Sequence, residues 1–136
     1  MPRTVSVEIE QVGPSTGSAR ARTHTVFVDR PVEKGGSDRG PLGGEYLLVS
    51  LGGCFLSTLL AAVRTREADV SNVRVSAVGT VGGVPERFES IALHVSANYS
   101  DRDLMQKLVA MAERGCLVTN TLKDAVQLSV TLDKAT

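Results

Sequence analysis

A chain of 136 residues, 42% hydrophobic and 22% charged, has the make-up of a single globular domain over 1–136 rather than of a disordered segment. Fifteen Lys and Arg balance fifteen Asp and Glu, which removes the basic excess that a nucleic-acid binder sets against phosphates. With no Trp, two Tyr and three Phe the core must be aliphatic, and two cysteines are too few for a disulfide-stapled secreted scaffold.

Met1-Pro2-Arg3-Thr4-Val5 lacks the apolar run of a signal peptide, so the expected setting is the cytoplasm, where both thiols rest reduced. Thr4 to Val12 alternates, with Val5, Val7 and Ile9 on one face and Ser6, Glu8 and Glu10 on the other. That is the period of a half-buried strand. Gly13 to Ser18 is turn chemistry and Arg22 to Asp29 is a second β-branched run, which together predict an antiparallel hairpin. Pro31 to Gly44 holds Pro31, Gly35, Gly36, Gly40, Pro41, Gly43 and Gly44, a long loop of the kind that is functional or mobile.

A helix is predicted from near Glu45, because Leu47, Leu48, Leu51, Phe55, Leu59 and Ala62 recur at three- and four-residue steps, with Arg64 and Arg66 near its end. Tyr46 to Val63 carries no charge and is long enough to span a bilayer. Gly52, Gly53, Ser50, Ser57 and Thr58, and a chain otherwise without membrane character, favour a buried central helix and no membrane. A helix apolar on every side needs more cover than one small sheet and one further helix provide. Val70 to Val81 returns to period two, Gly82-Gly83-Val84-Pro85 turns the chain, and Ile91, Leu93, Val95 and Ala97 alternate in a partner strand. Ser100 is placed as an N-cap, Leu104, Leu108, Met111 and Ala112 form a helical stripe, and Gly115 is placed to end it. Leu117 to Asp124 has room for a further turn or two, and Gln127 to Leu132 closes the chain as a strand.

The reactive inventory is Cys54, Cys116, His24, His94 and carboxylates. No two of the Cys and His residues have the close spacing of a structural zinc site, so no metal is expected. Gly35-Gly36 and Gly43-Gly44 lack the strand and lysine context of a phosphate loop. Both histidines fall in strand-like runs, where a half-exposed imidazole is commoner than a partner for a nucleophilic cysteine. Cys54 follows Gly52-Gly53 inside a helix, and each glycine there costs about 1 kcal/mol relative to alanine unless another backbone must come close. Cys116 follows a helix stop, where free backbone N–H groups can face a thiolate. The residues alone leave two readings open: two small buried hydrophobes, or a thiol couple.

The run Pro41-Leu42-Gly43-Gly44-Glu45-Tyr46-Leu47-Leu48-Val49-Ser50-Leu51-Gly52-Gly53-Cys54, followed by Cys116-Leu117-Val118-Thr119-Asn120-Thr121-Leu122, resembles the two signature segments of the OsmC/Ohr family, the osmotically inducible and organic-hydroperoxide-resistance proteins. The order of elements resembles that family over roughly residues 4 to 132. The resemblance implies an α+β, OsmC-like fold: an antiparallel β-sheet with a long buried central helix, two copies forming an intertwined homodimer. It implies a cysteine-based peroxidase for organic hydroperoxides, with Cys54 as the attacking thiol, Cys116 as the resolving thiol and an external dithiol, a lipoyl or thioredoxin-like protein, as reductant. Glu45 corresponds to the family's acidic residue, which orients an arginine beside the reactive thiol; Arg39 is the favoured candidate, with Arg20, Arg22 and Arg30 as alternatives. No cofactor or metal is implied. Leu117 stands where the family commonly has proline. The competing reading is the same fold as a small-molecule-binding or purely structural dimer module without peroxidase activity.

Overall fold

The computed structural model describes residues 1–134, which divide into two compact units, Met1–Leu47 and a second from Leu48 onward. In the first unit β1 (Glu8–Gln11), β2 (Gly17–Ala21) and β3 (His24–Val28) form an antiparallel sheet in chain order. The expected hairpin is thus a three-stranded meander. Its middle strand, Gly17-Ser18-Ala19-Arg20-Ala21, lies partly in what reads as turn and has no large apolar residue to announce it. Val5 and Val7 precede β1 and stand exposed.

The glycine-rich loop after β3 is tied down. A 3₁₀ turn at Val32–Lys34 ends on Gly35 in the left-handed region at φ 86°, where glycine carries no steric cost. Gly36 and Gly40 lie so close to the carbonyls of Arg30 and Phe27 that a Cβ at either would collide with backbone. Asp29 organises the rest. Its carboxylate accepts from the Thr16 hydroxyl at 2.7 Å, the Arg30 amide at 2.7 Å and the Arg39 amide at 3.2 Å. Burial would raise its pKa, but these donors outweigh it and hold the carboxyl well below the usual carboxylate range.

The helix α1 (Gly43–Thr65) starts in the first unit and runs into the second, which adds β4 (Val70–Gly82), β5 (Arg87–Tyr99), α2 (Arg102–Gly115), α3 (Leu117–Leu122) and β6 (Gln127–Lys134). The sheet order is β4-β5-β6, antiparallel between β4 and β5 but parallel between β5 and β6. The expected all-antiparallel sheet is therefore mixed, because α2 and α3 form the crossover that a parallel partner requires. Ile91, Leu93, Val95 and Ala97 on central β5 meet Leu51, Phe55 and Leu59 of α1 and Met105, Leu108 and Ala112 of α2 in one aliphatic core. Full burial of such side chains contributes roughly 1.5–3 kcal/mol each.

Three local expectations need correction. Asp101, not Ser100, caps α2, its carboxylate accepting from the Leu104 amide at 3.1 Å. Gly115 is the last residue of α2 rather than a left-handed cap. A Cβ there would lie 3.3 Å from Thr58 Cγ2, so the glycine serves close approach of α2 to α1. Finally, α1 is not buried all round: Leu51, Gly52, Phe55 and Leu59 are its buried residues, whereas Val49 is 60% and Leu60 45% exposed. A sheet and a second helix cover only one stripe of it. Among the described residues α1 is the one helix long and apolar enough to cross a membrane, by length and composition.

Candidate thiol site

Cys54 sits midway along α1 beside buried Phe55, and Cys116 is the residue between α2 and α3, with extended backbone at φ −84° and ψ 117°. The fold brings the two thiols close enough to act on each other's ionisation, and both are free. Their surroundings differ. Cys54 is half-buried, the sulfur of the pair that solvent and solutes reach, while Cys116 is 0% exposed.

Their acidities are pushed apart. Burial in an aliphatic environment and the adjoining Cys116 push the Cys54 thiol up, against the amides of Val118 and Leu117, which favour its thiolate. Burial works the same way on Cys116, but there the donors prevail. The Thr119 side chain and amide, then the Cys54 thiol and the Val118 amide, stabilise its anion, and the Cys116 pKa is lowered. The Thr119 amide lies 3.4 Å from Cys116 Sγ. The Thr119 hydroxyl, also buried, has no hydrogen-bond partner.

The glycines before Cys54 have separate roles. A Cβ on Gly52 would lie 3.6 Å from Val75 and 3.8 Å from Ala77 of β4, ordinary packing contacts, while one on Gly53 would point into open space. Leu48, Val49, Gly52, Gly53, Leu56, Val75 and Ala77 line an open apolar groove of about 310 Å³.

Glu45 and Arg39 belong to the first unit. Glu45 Oε1 accepts from the Leu42 amide at 2.8 Å at the start of α1, and the Arg39 guanidinium lies over the Phe27 ring at 4.9 Å, a cation–π contact. Among the described residues neither takes part in an ion pair. Arg20 makes an exposed 3.9 Å pair with Glu8, Arg22 occupies a turn at φ 54°, and the Arg30 backbone serves Asp29. His94 faces Asp133 at 3.5 Å on the β5–β6 pair, and His24 is exposed on β3. Little in the sequence marks Thr119 or Asp29. A Thr shortly after a helix-starting Cys was the only available signal for the former, and an Asp before a Pro-Gly loop for the latter.

A fold with one half-buried and one buried thiol side by side, carried on a central helix and a crossover, belongs to a defined class. The family model described as OsmC-like protein matches residues 35–131, and the chain belongs to that family. Among solved structures it is similar to a protein of Aquifex aeolicus (TM-score 0.84, 17% identity, covering 98% of each chain) and to an OsmC-like protein of Mycoplasma pneumoniae (TM-score 0.82, 17% identity, covering 99% of this chain and 98% of that one). An organic hydroperoxide resistance protein of Elizabethkingia anophelis shares the fold at TM-score 0.75 and 17% identity, over 99% of both chains. No curated protein matches the chain in sequence.

Proposed function

We propose that the protein is a thiol peroxidase that reduces organic hydroperoxides in the cytoplasm. The observation that carries this reading is the contact between a reachable Cys54 and a buried Cys116 in an OsmC-like fold. The Cys54 thiolate attacks the outer oxygen of the hydroperoxide, the O–O bond breaks, and the alkoxide leaves to take a proton as the alcohol. The resulting sulfenic acid is attacked by the Cys116 thiolate. The S–S bond forms as the S–O bond breaks, and hydroxide leaves to become water. An external dithiol, from a lipoyl or thioredoxin-like protein, then reduces the disulfide by exchange. Because burial raises the Cys54 pKa, its attack needs a cation at the thiol, and Arg39, oriented by Glu45, is the proposed source. Apolar neighbours, Leu51 and Phe55, favour hydroperoxides with apolar tails over hydrogen peroxide.

The working unit is proposed to be a homodimer. Val49, Leu60 and the groove beside Gly53 leave much of an apolar helix uncovered in one protomer, and a second copy is the occupant with a matching apolar face. A monomer in sedimentation at micromolar concentration would overturn this.

The peroxidase reading is tested by adding one equivalent of cumene hydroperoxide to the reduced protein and counting thiols. Loss of both to an intramolecular Cys54–Cys116 disulfide is expected. Retention of both by a folded protein would overturn it and leave the apolar groove as the site of a small-molecule-binding module.

A further inference from the structure

We infer that Gly115 and Thr58 are positioning residues for the thiol couple: the missing side chain at 115 lets the end of α2 settle on the Thr58 methyl, and that contact sets how far Cys116 stands from Cys54. Neither backbone nor packing asks for a glycine here on its own account. Gly115 closes α2 and lies outside the left-handed region that favours glycine. Alanine is the better helix former, and the position is exposed, so no tight core requires the smallest residue. What a Cβ at 115 would meet is Thr58 Cγ2, at 3.3 Å, closer than carbon atoms ordinarily pack.

Both sides of this contact are tied to a cysteine. Thr58 stands one helical turn after Cys54 on α1, so the two share a face. Its hydroxyl donates to the Cys54 carbonyl at 2.9 Å, which fixes the rotamer of a β-branched side chain and with it the direction of the methyl. On the other side, Gly115 is one peptide bond from Cys116, whose sulfur accepts from the Thr119 amide at 3.4 Å as the cap of α3. A line of fixed links therefore runs from the Cys54 backbone through Thr58 to Gly115 and Cys116. Cys54 packs against the buried cluster that includes Cys116, which is where such a line delivers it. A disulfide joins Cβ atoms about 3.5–4.5 Å apart, a window only about 1 Å wide. An alanine at 115 would force the contact to give by a few tenths of an ångström, a sizeable part of that window. Thr58 and Gly115 touch no reacting atom and act through where the two sulfurs stand.

The role rests on the thiol couple proposed above, yet it is read without hydroperoxide. The reduced protein is equilibrated with glutathione disulfide and glutathione at set ratios, quenched with acid and alkylated, and its forms are resolved by mass. The Cys54–Cys116 bond forms as glutathione disulfide takes up two electrons and two protons and leaves as two glutathione molecules. The midpoint thus gives the effective concentration of one thiol at the other. Gly115→Ala is expected to lower it roughly four- to tenfold, since a misplacement of about 1 Å costs about a hundredfold. The reduced variant should melt no lower than the parent. Adding Thr58→Ser, which removes the methyl and keeps the hydroxyl, is expected to restore the parent's midpoint. A smaller side chain at 58 would not repair a helix that the alanine had merely disturbed. A folded Gly115→Ala protein with the parent's midpoint overturns the role, as does a double variant that stays as low as the single one. A parent that yields only mixed disulfides with glutathione overturns it too. If Gly115→Ala does not fold, the double variant decides: the parent's midpoint supports the role, and a lower one or a second failure to fold overturns it. The peroxidase reading fails separately, by thiols that survive cumene hydroperoxide while the glutathione midpoints keep this order.

Discussion

The two units keep opposite kinds of residue out of water. In the first, among the described residues, the buried positions are Thr16 and Asp29, both polar and hydrogen-bonded to each other. In the second, the buried residues are almost all aliphatic, and the polar exceptions are Cys116 and Thr119 at the thiol site. Asp29 is saturated with donors from Thr16, Arg30 and Arg39, so it serves as a structural knot. In the second unit the Thr119 amide meets the Cys116 sulfur at 3.4 Å, and one buried hydroxyl in each unit, Ser15 and Thr119, has no hydrogen-bond partner. Where a small unit lacks apolar bulk, a satisfied carboxylate holds the chain; where apolar bulk is plentiful, packing does.

The sharpest way to break this contrast is at Cys54. Cys54→Ser is expected to reduce hydroperoxide consumption to background while leaving the melting temperature near that of the parent, measured by peroxide assay and circular dichroism. Packing should dominate the energetics of the second unit. Phe55→Ala, at a fully buried position beside Cys54, is expected to cost about 3–5 kcal/mol in denaturant unfolding.

In the first unit the hydrogen bonds should dominate instead. Asp29→Asn is expected to expose the loop between Arg30 and Pro41 to limited proteolysis and lower the melting temperature, with the thiol titration unchanged. The sign of its pH dependence follows from the direction of its shift. A carboxyl held below its unfolded value stabilises fully above about pH 4, and that stabilisation is lost as pH falls through the lower folded pKa. The asparagine variant should therefore lose most relative to the parent at neutral pH and least in strong acid. The smallest effect is expected at Gly53. With open space around its Cβ position, Gly53→Ala should stabilise an isolated protomer by about 1 kcal/mol. If a second copy packs there, the same substitution should instead weaken the dimer in sedimentation.

The sequence made some of this legible for clear reasons. Apolar steps of three and four along α1 and α2, and strict alternation along β5, mark the elements that build the core, and they stand where the periodicity puts them. The strand β2 was not legible because Gly17-Ser18-Ala19-Arg20-Ala21 has no apolar alternation; its neighbours make it a strand. The direction of β6 was hidden because alternation is the same in parallel and antiparallel pairs. The meeting of Cys54 with Cys116 was suggested by family resemblance and not by spacing, since only the tertiary fold closes that distance. Asp29 and Thr119 escaped notice because a hydrogen-bonding role depends on which amides and hydroxyls the folded chain brings near.

The parallel pairing of β6 with β5 has a consequence for the order in which the molecule is made. During synthesis Cys54 leaves the ribosome well before Cys116, and the segment bearing Cys116 is part of the crossover that lets β6 dock. A growing chain therefore carries Cys54 without its neighbouring thiol until the segment bearing Cys116 has been made and docked.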